Sequence, residues 1–494
     1  MRYFEIVLYP IISLTWVFIF GHLVPSLKWD HGIYASVAER LVAGDQLYSQ
    51  VWDNKDPLFY WTLALGRTIS PAMDFAIEIV WLLIACIAAS SICSTINLTR
   101  NTRLLFAYAI TPLVVTGGIY MPGLSHLPGI AVTLAVIATA VRNRLLVSGG
   151  LLATLIVTKV VMLPIAGLAT IVILARPALR KSVQSNVVHL LAGFMTACGF
   201  WALVLLMRGE LGAWLHALKL NFSYSSSGAG ATSRTDFAGP IVGHFLQTMS
   251  VSALIVLVAV SFLIVFLRFD LHNKFAQKSL TSDQVLLWQL VVTTLISSLT
   301  VILLTGIWTH HAQVYYIPAV LIGILLASRI DNSAQQLQSK NLLALFGAGL
   351  LLGGVIHVEQ YVRADLQIAQ NISALSDVQP LTAELRKQST SGSYARAGSN
   401  DDSGHAYGLR DWKLACPRFT QYSFDDPELL ATDVDCLSKA DYLLLSLGTS
   451  IRNETPVKPS SAFEQFIADL HALVKSSYKC TQYPTGDVCE KTKS

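Results

Sequence analysis

The chain has 494 residues, of which 53% are hydrophobic and only 13% charged, a balance outside the range of soluble globular proteins and one that requires lipid as solvent. The formal net charge of +4 is too small to indicate nucleic acid as a partner. The basic residues gather in short loops between apolar runs, where they report topology.

A helix that crosses a bilayer needs about 20 mostly apolar residues. The first such run, 4–24, is followed by no small-residue cleavage site and reads as an anchor. Further runs follow at 76–96, 104–120, 127–141, 145–175, 187–207, 249–267, 285–307, 314–327 and 342–358. The stretch 145–175 is long for one helix and short for two, and loop charge decides between them. With the N-terminus in the cytoplasm, Arg100, Arg103, Arg142 and Arg144 lie inside. A single helix over 145–175 would expose Arg176, Arg180 and Lys181 outside and give every later loop the wrong parity. A helical hairpin that turns between Lys159 and Pro164 keeps the basic loops inside and lets Lys159 face an external aqueous cavity. The sum is about eleven spanning helices, with 25–74, 208–247, the turn 308–313 and everything after residue 358 on the outer face.

The first external loop, 25–74, has apolar residues at helical spacing over 34–41 and an apolar run over 57–69, both expected as helices along the membrane surface. The tail, 359–494, reads as a small extracytoplasmic α/β domain. Its expected parts are a helical approach over 359–387, a Gly/Ser-rich break over 389–403, a strand at 441–446 and an amphipathic helix at 462–475. Of seven cysteines, Cys86, Cys93 and Cys198 lie in apolar runs, while Cys416, Cys436, Cys480 and Cys489 lie in the tail, which suggests an oxidising compartment for it. Proximity favours Cys416 with Cys436 and Cys480 with Cys489; four free thiols are the alternative. Asn97, Asn221, Asn371 and Asn453 each open an N-x-S/T tripeptide, to which no function is attached.

The chemistry-bearing residues sit in the first loop, where Trp29-Asp30-His31-Gly32-Ile33-Tyr34 is followed by Asp53-Asn54-Lys55-Asp56-Pro57-Leu58. Two acidic clusters and a lysine at a membrane face are costly unless used or solvated. An acid soon after the first helix, a tyrosine, an amphipathic helix, "GDQLYSQVWDNKDPLFYW" and a second membrane helix resemble the first loop of the GT-C superfamily of glycosyltransferases. The likeness is to its family-39-like members, the protein mannosyltransferases and aminoarabinose transferases. Lys159 in a short helical pair, "HALKLNFSY", "HHAQVYYIP" and the terminal α/β domain extend the likeness over most of the chain.

The resemblance implies a GT-C membrane bundle over 1–358, an extracytoplasmic domain over 359–494, and a location in the bacterial inner membrane with the tail periplasmic. It implies a polyprenyl-phosphate sugar as donor and a glycan, lipid or protein of the envelope as acceptor. Inverting glycosyl transfer needs a carboxylate as general base and a cation for the departing phosphate. Asp30 is the base candidate and Lys55 the phosphate candidate, with Asp56 orienting Lys55 or helping a metal, and Tyr34, Lys159, His311 and Tyr316 as further substrate-binding candidates. The family often has a second acid after the first; His31 stands there instead, and His126 stands where relatives carry another acid. A divalent metal ion is therefore the one cofactor considered, with His31 and His126 as candidate ligands beside His310 and His311.

Each residue has a structural reading as well. Asp30 suits the N-cap of a helix starting near Gly32, Lys55 suits an interfacial lysine that snorkels to headgroups, and Lys159 suits an ion-pair partner inside the bundle. Two other functions compete with the transferase. One is a transporter or flippase of lipid-linked sugars, which would spread charge and Gly/Pro breaks through several helices. The other is an O-antigen-ligase-like transferase, whose large external loop comes late in the chain.

Overall fold

The computed structural model describes residues 30–69, 73–96, 98–116, 125–176, 182–227, 281–305, 314–331, 380–398, 409–418, 427–446, 449–453, 461–483 and 486–492. The runs 4–24, 249–267 and 342–358, the tail segment 359–379, residues His310 and His311, and the side chains of Asp30 and His31 lie outside that description.

The described chain is mostly helical, with a small C-terminal sheet. Two short helices, α1 (Asp30–Val42) and α2 (Pro57–Arg67), precede the long α3 (Met73–Thr95). α1 starts at Asp30, ahead of the expected start near Gly32. Its end is set by Gly44 at φ 102°. The Gly44 N–H donates to the Leu41 carbonyl and the Asp45 N–H to the Arg40 carbonyl, the paired closure that a left-handed residue permits. There follow α4 (Arg100–Leu105), a wide turn over Phe106–Ile110, α5 (Thr111–Thr116), α6 (His126–Val141), α7 (Leu145–Thr158), α8 (Leu163–Leu174), α9 (Val183–Met207), α10 (Leu211–Ser227), α11 (Ser282–Thr305) and α12 (Tyr316–Asp331). Among the described residues, three helical stretches are long and apolar enough to cross a membrane: Ile77–Thr95, Val183–Met207 and Ser282–Val301. α9 leaves Val188, Leu191, Met195, Phe200, Leu203, Leu206 and Met207 exposed, an apolar surface that water would not tolerate and lipid would.

The stretch 145–174 is two helices. α6 and α7 are joined by a tight turn in which Asn143 sits at φ 60°, with the Asn143 N–H on the Ala140 carbonyl and the Arg144 N–H on the Thr139 carbonyl. α7 then packs on α9 with one repeated offset. A Cβ on Gly193 would collide with the Leu146 carbonyl, and the Trp201 indole N–H donates to the Thr154 hydroxyl, 47 residues away. Residues 146 and 193 differ by the same 47, so α7 and α9 run parallel. The chain between them must therefore return, and α8 does so, packing on α6 and α11. The fold is a hairpin hinged at Lys159, whose extended backbone (φ −167°, ψ 82°) ends α7. Gly149 and Gly193 let α7 and α9 meet backbone to backbone, the small-residue packing that lipid-embedded helices use where hydrophobicity gives no drive.

The tail begins with α13 (Pro380–Gln388), β1 (Ser393–Ala397), β2 (Lys413–Leu414) and α14 (Pro427–Leu437). It ends with β3 (Tyr442–Ser446), α15 (Ala462–Ser477), β4 (Tyr478–Tyr483) and β5 (Gly486–Lys491). The sheet order is β2-β1-β3-β5-β4, parallel across β2-β1-β3 and antiparallel across β3-β5-β4. The expected break over 389–403 is corrected in part: β1 lies within it. Its Tyr394, Ala395, Arg396 and Ala397 are all buried, because pairing with β2 and β3 overrides the local Gly/Ser signal. α15 is capped by Ser461, whose hydroxyl accepts the Glu464 N–H (3.1 Å). Cys416 is bonded to Cys436, and Cys480 to Cys489 directly across the β4–β5 ladder.

Both faces of this sheet are covered. Tyr394, Tyr442, Leu444 and Val488 pack with the first loop, while Ala395, Leu443, Leu445 and Cys489 pack under α14 and α15, the period-two alternation of a strand. The tail and the first loop therefore share one apolar core, to which Ile33, Val37, Phe59 and Trp214 also belong.

The α7–α9 contact is testable. Gly193→Val places a branched side chain against the Leu146 carbonyl and should lower the unfolding free energy in detergent by about 1–3 kcal/mol. An unchanged thermal midpoint would show that the two helices do not touch as described.

Candidate functional site

The loop between α1 and α2 folds on itself before it reaches its charged end. Leu47 and Val51 form a single bridge, and the Tyr48 N–H donates to the Val51 carbonyl at 2.6 Å. Tyr48 holds φ at 68°, a left-handed conformation that costs a residue with a side chain about 1–2 kcal/mol. Its buried hydroxyl donates to the Lys55 carbonyl at 2.7 Å, so the strained residue is the one that fixes the Lys55 backbone. Asp53 is buried and accepts the Tyr60 hydroxyl from α2. Burial pushes both phenols well above their ordinary pKa, with Asp56 and Asp53 adding for Tyr48 and Asp53 for Tyr60, so both remain donors at neutral pH.

Asp56 links this loop to the α7–α8 hairpin. It occupies the N-cap position of α2 but makes no cap bond there; its carboxylate accepts the Val160 N–H at 3.1 Å. Val160 opens the short turn Val160–Met162 that leads into α8, where the break at Lys159 leaves N–H groups with no helical partner. The carboxylate also meets the positive end of the α8 dipole. Burial raises Asp56 to about 6, against the opposing pull of Lys159, the Val160 N–H and Lys55. Lys159 is buried and donates to the Ser125 hydroxyl at 3.1 Å. A Cβ on Gly129 would lie 2.7 Å from the Lys159 Cβ, so this glycine makes room for the lysine.

Lys55 donates to the Asn54 side-chain oxygen at 2.5 Å and lies 5.6 Å from the Tyr34 ring centroid, within cation–π range. Tyr34 is held edge-on by Phe59 (5.0 Å) and Tyr60 (6.0 Å). Tyr34, Lys55, Asp56 and Lys159 thus form one cluster. The Asp30 backbone stands one helical turn before Tyr34 in α1, and residues at i and i+4 share a helix face.

Two anchors were not singled out by sequence reasoning. Glu210 is fully buried and accepts from the Leu47 N–H (3.1 Å), the Trp61 indole (3.1 Å) and the Nε and Nη2 donors on one edge of the Arg208 guanidinium (3.0 and 2.9 Å). Gly209, at φ 69°, makes the turn that puts it there. Asn221 in α10 donates to the Asn54 carbonyl at 2.8 Å; its only sequence signal is the "HALKLNFSY" segment. The tail closes the other side. Arg40 donates to the carbonyls of Leu409 (3.2 Å) and Trp412 (2.5 Å) and pairs with Asp45 (2.6 Å).

Tyr316 is buried among the membrane helices, in a different apolar cluster from the one that holds the loop. His311 and the side chain of His31 lie outside the described residues. His126, buried at the start of α6, follows Ser125. Among the described residues no three His, Cys, Asp or Glu side chains converge to hold a metal. Compared with known proteins, the chain matches no protein-family model and no curated protein sequence.

Because the folded pKa of Asp56, about 6, lies above the ordinary 3.8, its stabilising contribution is full at low pH and lost as pH rises through 6. Asp56→Asn lacks this dependence. The variant should gain on the wild type by about 2–3 kcal/mol between about pH 4 and about pH 7 in unfolding experiments, and a pH-independent difference would contradict the raised carboxyl. Glu210→Ala strands the buried Leu47 N–H and the half-buried Trp61 indole N–H and should cost about 2–3 kcal/mol, with exchange protection lost at the Leu47 amide. Retained protection there would remove Glu210 as an anchor.

Proposed function

We propose that the chain is a membrane-embedded glycosyltransferase of the GT-C kind, a bundle of about eleven helices over 1–358 with an extracytoplasmic domain over 359–494. In this reading it moves a sugar from a polyprenyl phosphate to a glycan, lipid or protein acceptor at the outer face of the bacterial inner membrane. The observation that carries the reading is the cluster of Lys55 and Lys159 around Asp56 at the N-terminal end of a half-helix, between membrane helices and a covering domain. Two lysines and the positive end of α8 suit the phosphate of a lipid-linked donor, and the position suits a donor whose lipid stays in the bilayer.

In the transfer step Asp30 takes the proton from the acceptor hydroxyl as its oxygen bonds to the sugar C1. The bond from C1 to the phosphate oxygen breaks, and the lipid phosphate leaves with its charge held by Lys55. Tyr34 carries Lys55 over its ring face and keeps the lysine aimed.

One observation favours a second reading. A hairpin broken at a buried lysine resembles the discontinuous helices of transporters, so a flippase of lipid-linked sugars is the alternative. Transfer of radiolabelled sugar from a panel of polyprenyl-phosphate donors separates the two. Asp30→Asn should lower kcat by about 10²–10⁴-fold with the fold intact, and Lys55→Ala should weaken donor binding by about 10–100-fold. Equal transfer by wild type and Asp30→Asn would remove Asp30 from the reaction. No transfer with any donor, together with lipid-linked sugar crossing a reconstituted bilayer, would replace the transferase by the flippase.

A further inference from the structure

Among the described residues, the backbone of the loop between α1 and α2 hydrogen-bonds to the tail at the segment 415–418, and that segment is fastened at two points. The Trp52 N–H donates to the Pro417 carbonyl at 2.8 Å, and Trp52 and Arg418 form an isolated parallel bridge. Trp52 immediately precedes Asp53, so this contact sets where the run Asp53-Asn54-Lys55-Asp56 begins. On one side of Pro417, Cys416 is bonded to Cys436 of α14. On the other side, the Arg418 guanidinium makes two bonds to Asp433 of the same helix (3.0 and 2.7 Å) and one to the Leu429 carbonyl (2.6 Å). Cys416, Arg418 and Asp433 are all buried.

Beyond Ala415, whose N–H donates to the Tyr394 carbonyl of β1, the segment is thus stapled to α14 immediately before and after the residue whose carbonyl receives the loop. The second disulfide, Cys480–Cys489, joins two strands already paired across the β4–β5 ladder. It lies on the face turned towards α15, away from the loop. The two bonds therefore have different tasks.

We propose that the Cys416–Cys436 disulfide is a positioning device for the Asp53–Asp56 loop, so that thiol reduction of this one bond releases the loop from the tail while the tail sheet stays folded. Reduction by an exogenous dithiol converts the disulfide to two thiols, with two protons ending on the Cys416 and Cys436 sulfurs while the dithiol closes to its own cyclic disulfide. Arg418 and Asp433 then hold the segment at one end only, and the Pro417 carbonyl is no longer fixed opposite Trp52. The inference rests on the loop contact itself and not on the transferase reading, so the two fail separately.

The test uses the full chain in lipid nanodiscs, with Cys480→Ser and Cys489→Ser so that the tail holds a single reducible bond. Hydrogen exchange is followed by mass spectrometry before and after dithiothreitol, with thiol labelling to verify reduction. Exchange in the peptide spanning Trp52 should rise about tenfold on reduction, the scale of one lost backbone bond and its neighbour, while β3 and β5 stay protected. Cys436→Ser should reproduce the rise without reductant. An unchanged Trp52 peptide after verified reduction would overturn the proposal. So would loss of protection across β3 and β5, since the bond would then stabilise the whole tail and not one segment. A larger rise in the double-serine background before any reductant is added would assign the positioning to the other disulfide and overturn it equally.

Discussion

The hydrogen bond from the Val160 N–H to the Asp56 carboxylate is the contact on which the arrangement of the rest depends. A helical hairpin must break its ladder where it turns, and each backbone group released and buried there needs a partner. The turn at Lys159 finds that partner outside the hairpin, in a residue of the surface loop. The loop is therefore part of the membrane domain's own hydrogen-bonding account. A negative group suits that place twice over, since it accepts the bond and faces the positive end of α8. Burial works against it, and the outcome is the elevated Asp56 pKa.

A carboxylate used in this way must be held within hydrogen-bond reach of the hairpin, and the loop has several devices that do so. Tyr48 fixes the Lys55 carbonyl, Tyr60 fixes Asp53, Asn221 fixes the Asn54 carbonyl, and Glu210 ties Leu47 to Trp61. Successive residues are thus gripped by different elements, and none is left to find its position alone. The tail adds the outer wall. One face of its sheet packs in the same apolar core as α1 and α2, so the loop lies between the tail and the α7–α8 hairpin.

The parts of this arrangement that the sequence made legible are those governed by local or one-dimensional rules. The hairpin follows from the placement of arginines and lysines around 145–175, because basic loops avoid translocation. α1 and α2 follow from apolar spacing, and the cysteine pairs from proximity along the tail. What stayed hidden depends on partners far away in the chain. Glu210 reads as an ordinary charged residue after an apolar helix, and its bonds to Leu47 and Trp61, 163 and 149 residues away, give it a task. The φ of Tyr48 has no sequence signature, since a bulky residue is the one least expected in a left-handed turn. β1 looks polar and flexible in isolation, with Ser393 and Arg396 inside a Gly/Ser-rich stretch, and becomes a central strand because β3 lies beside it.

The grouping of charges also follows from this geometry. A buried lysine is tolerated only with a polar partner or a route to water, and Lys159 has the Ser125 hydroxyl and the field of Asp56. Asp56 in turn is tolerable as an anion only because Lys159, the Val160 N–H and Lys55 oppose its desolvation. Each charge is thus a condition for burying the other, and both depend on the helix break that brings them together. Removing the loop would leave Lys159 facing an open N-terminal helix end of the same sign, and a site with that polarity favours an anion. In the free protein Asp56 supplies the anion from within the chain. Any external anion that enters must contend with that carboxylate.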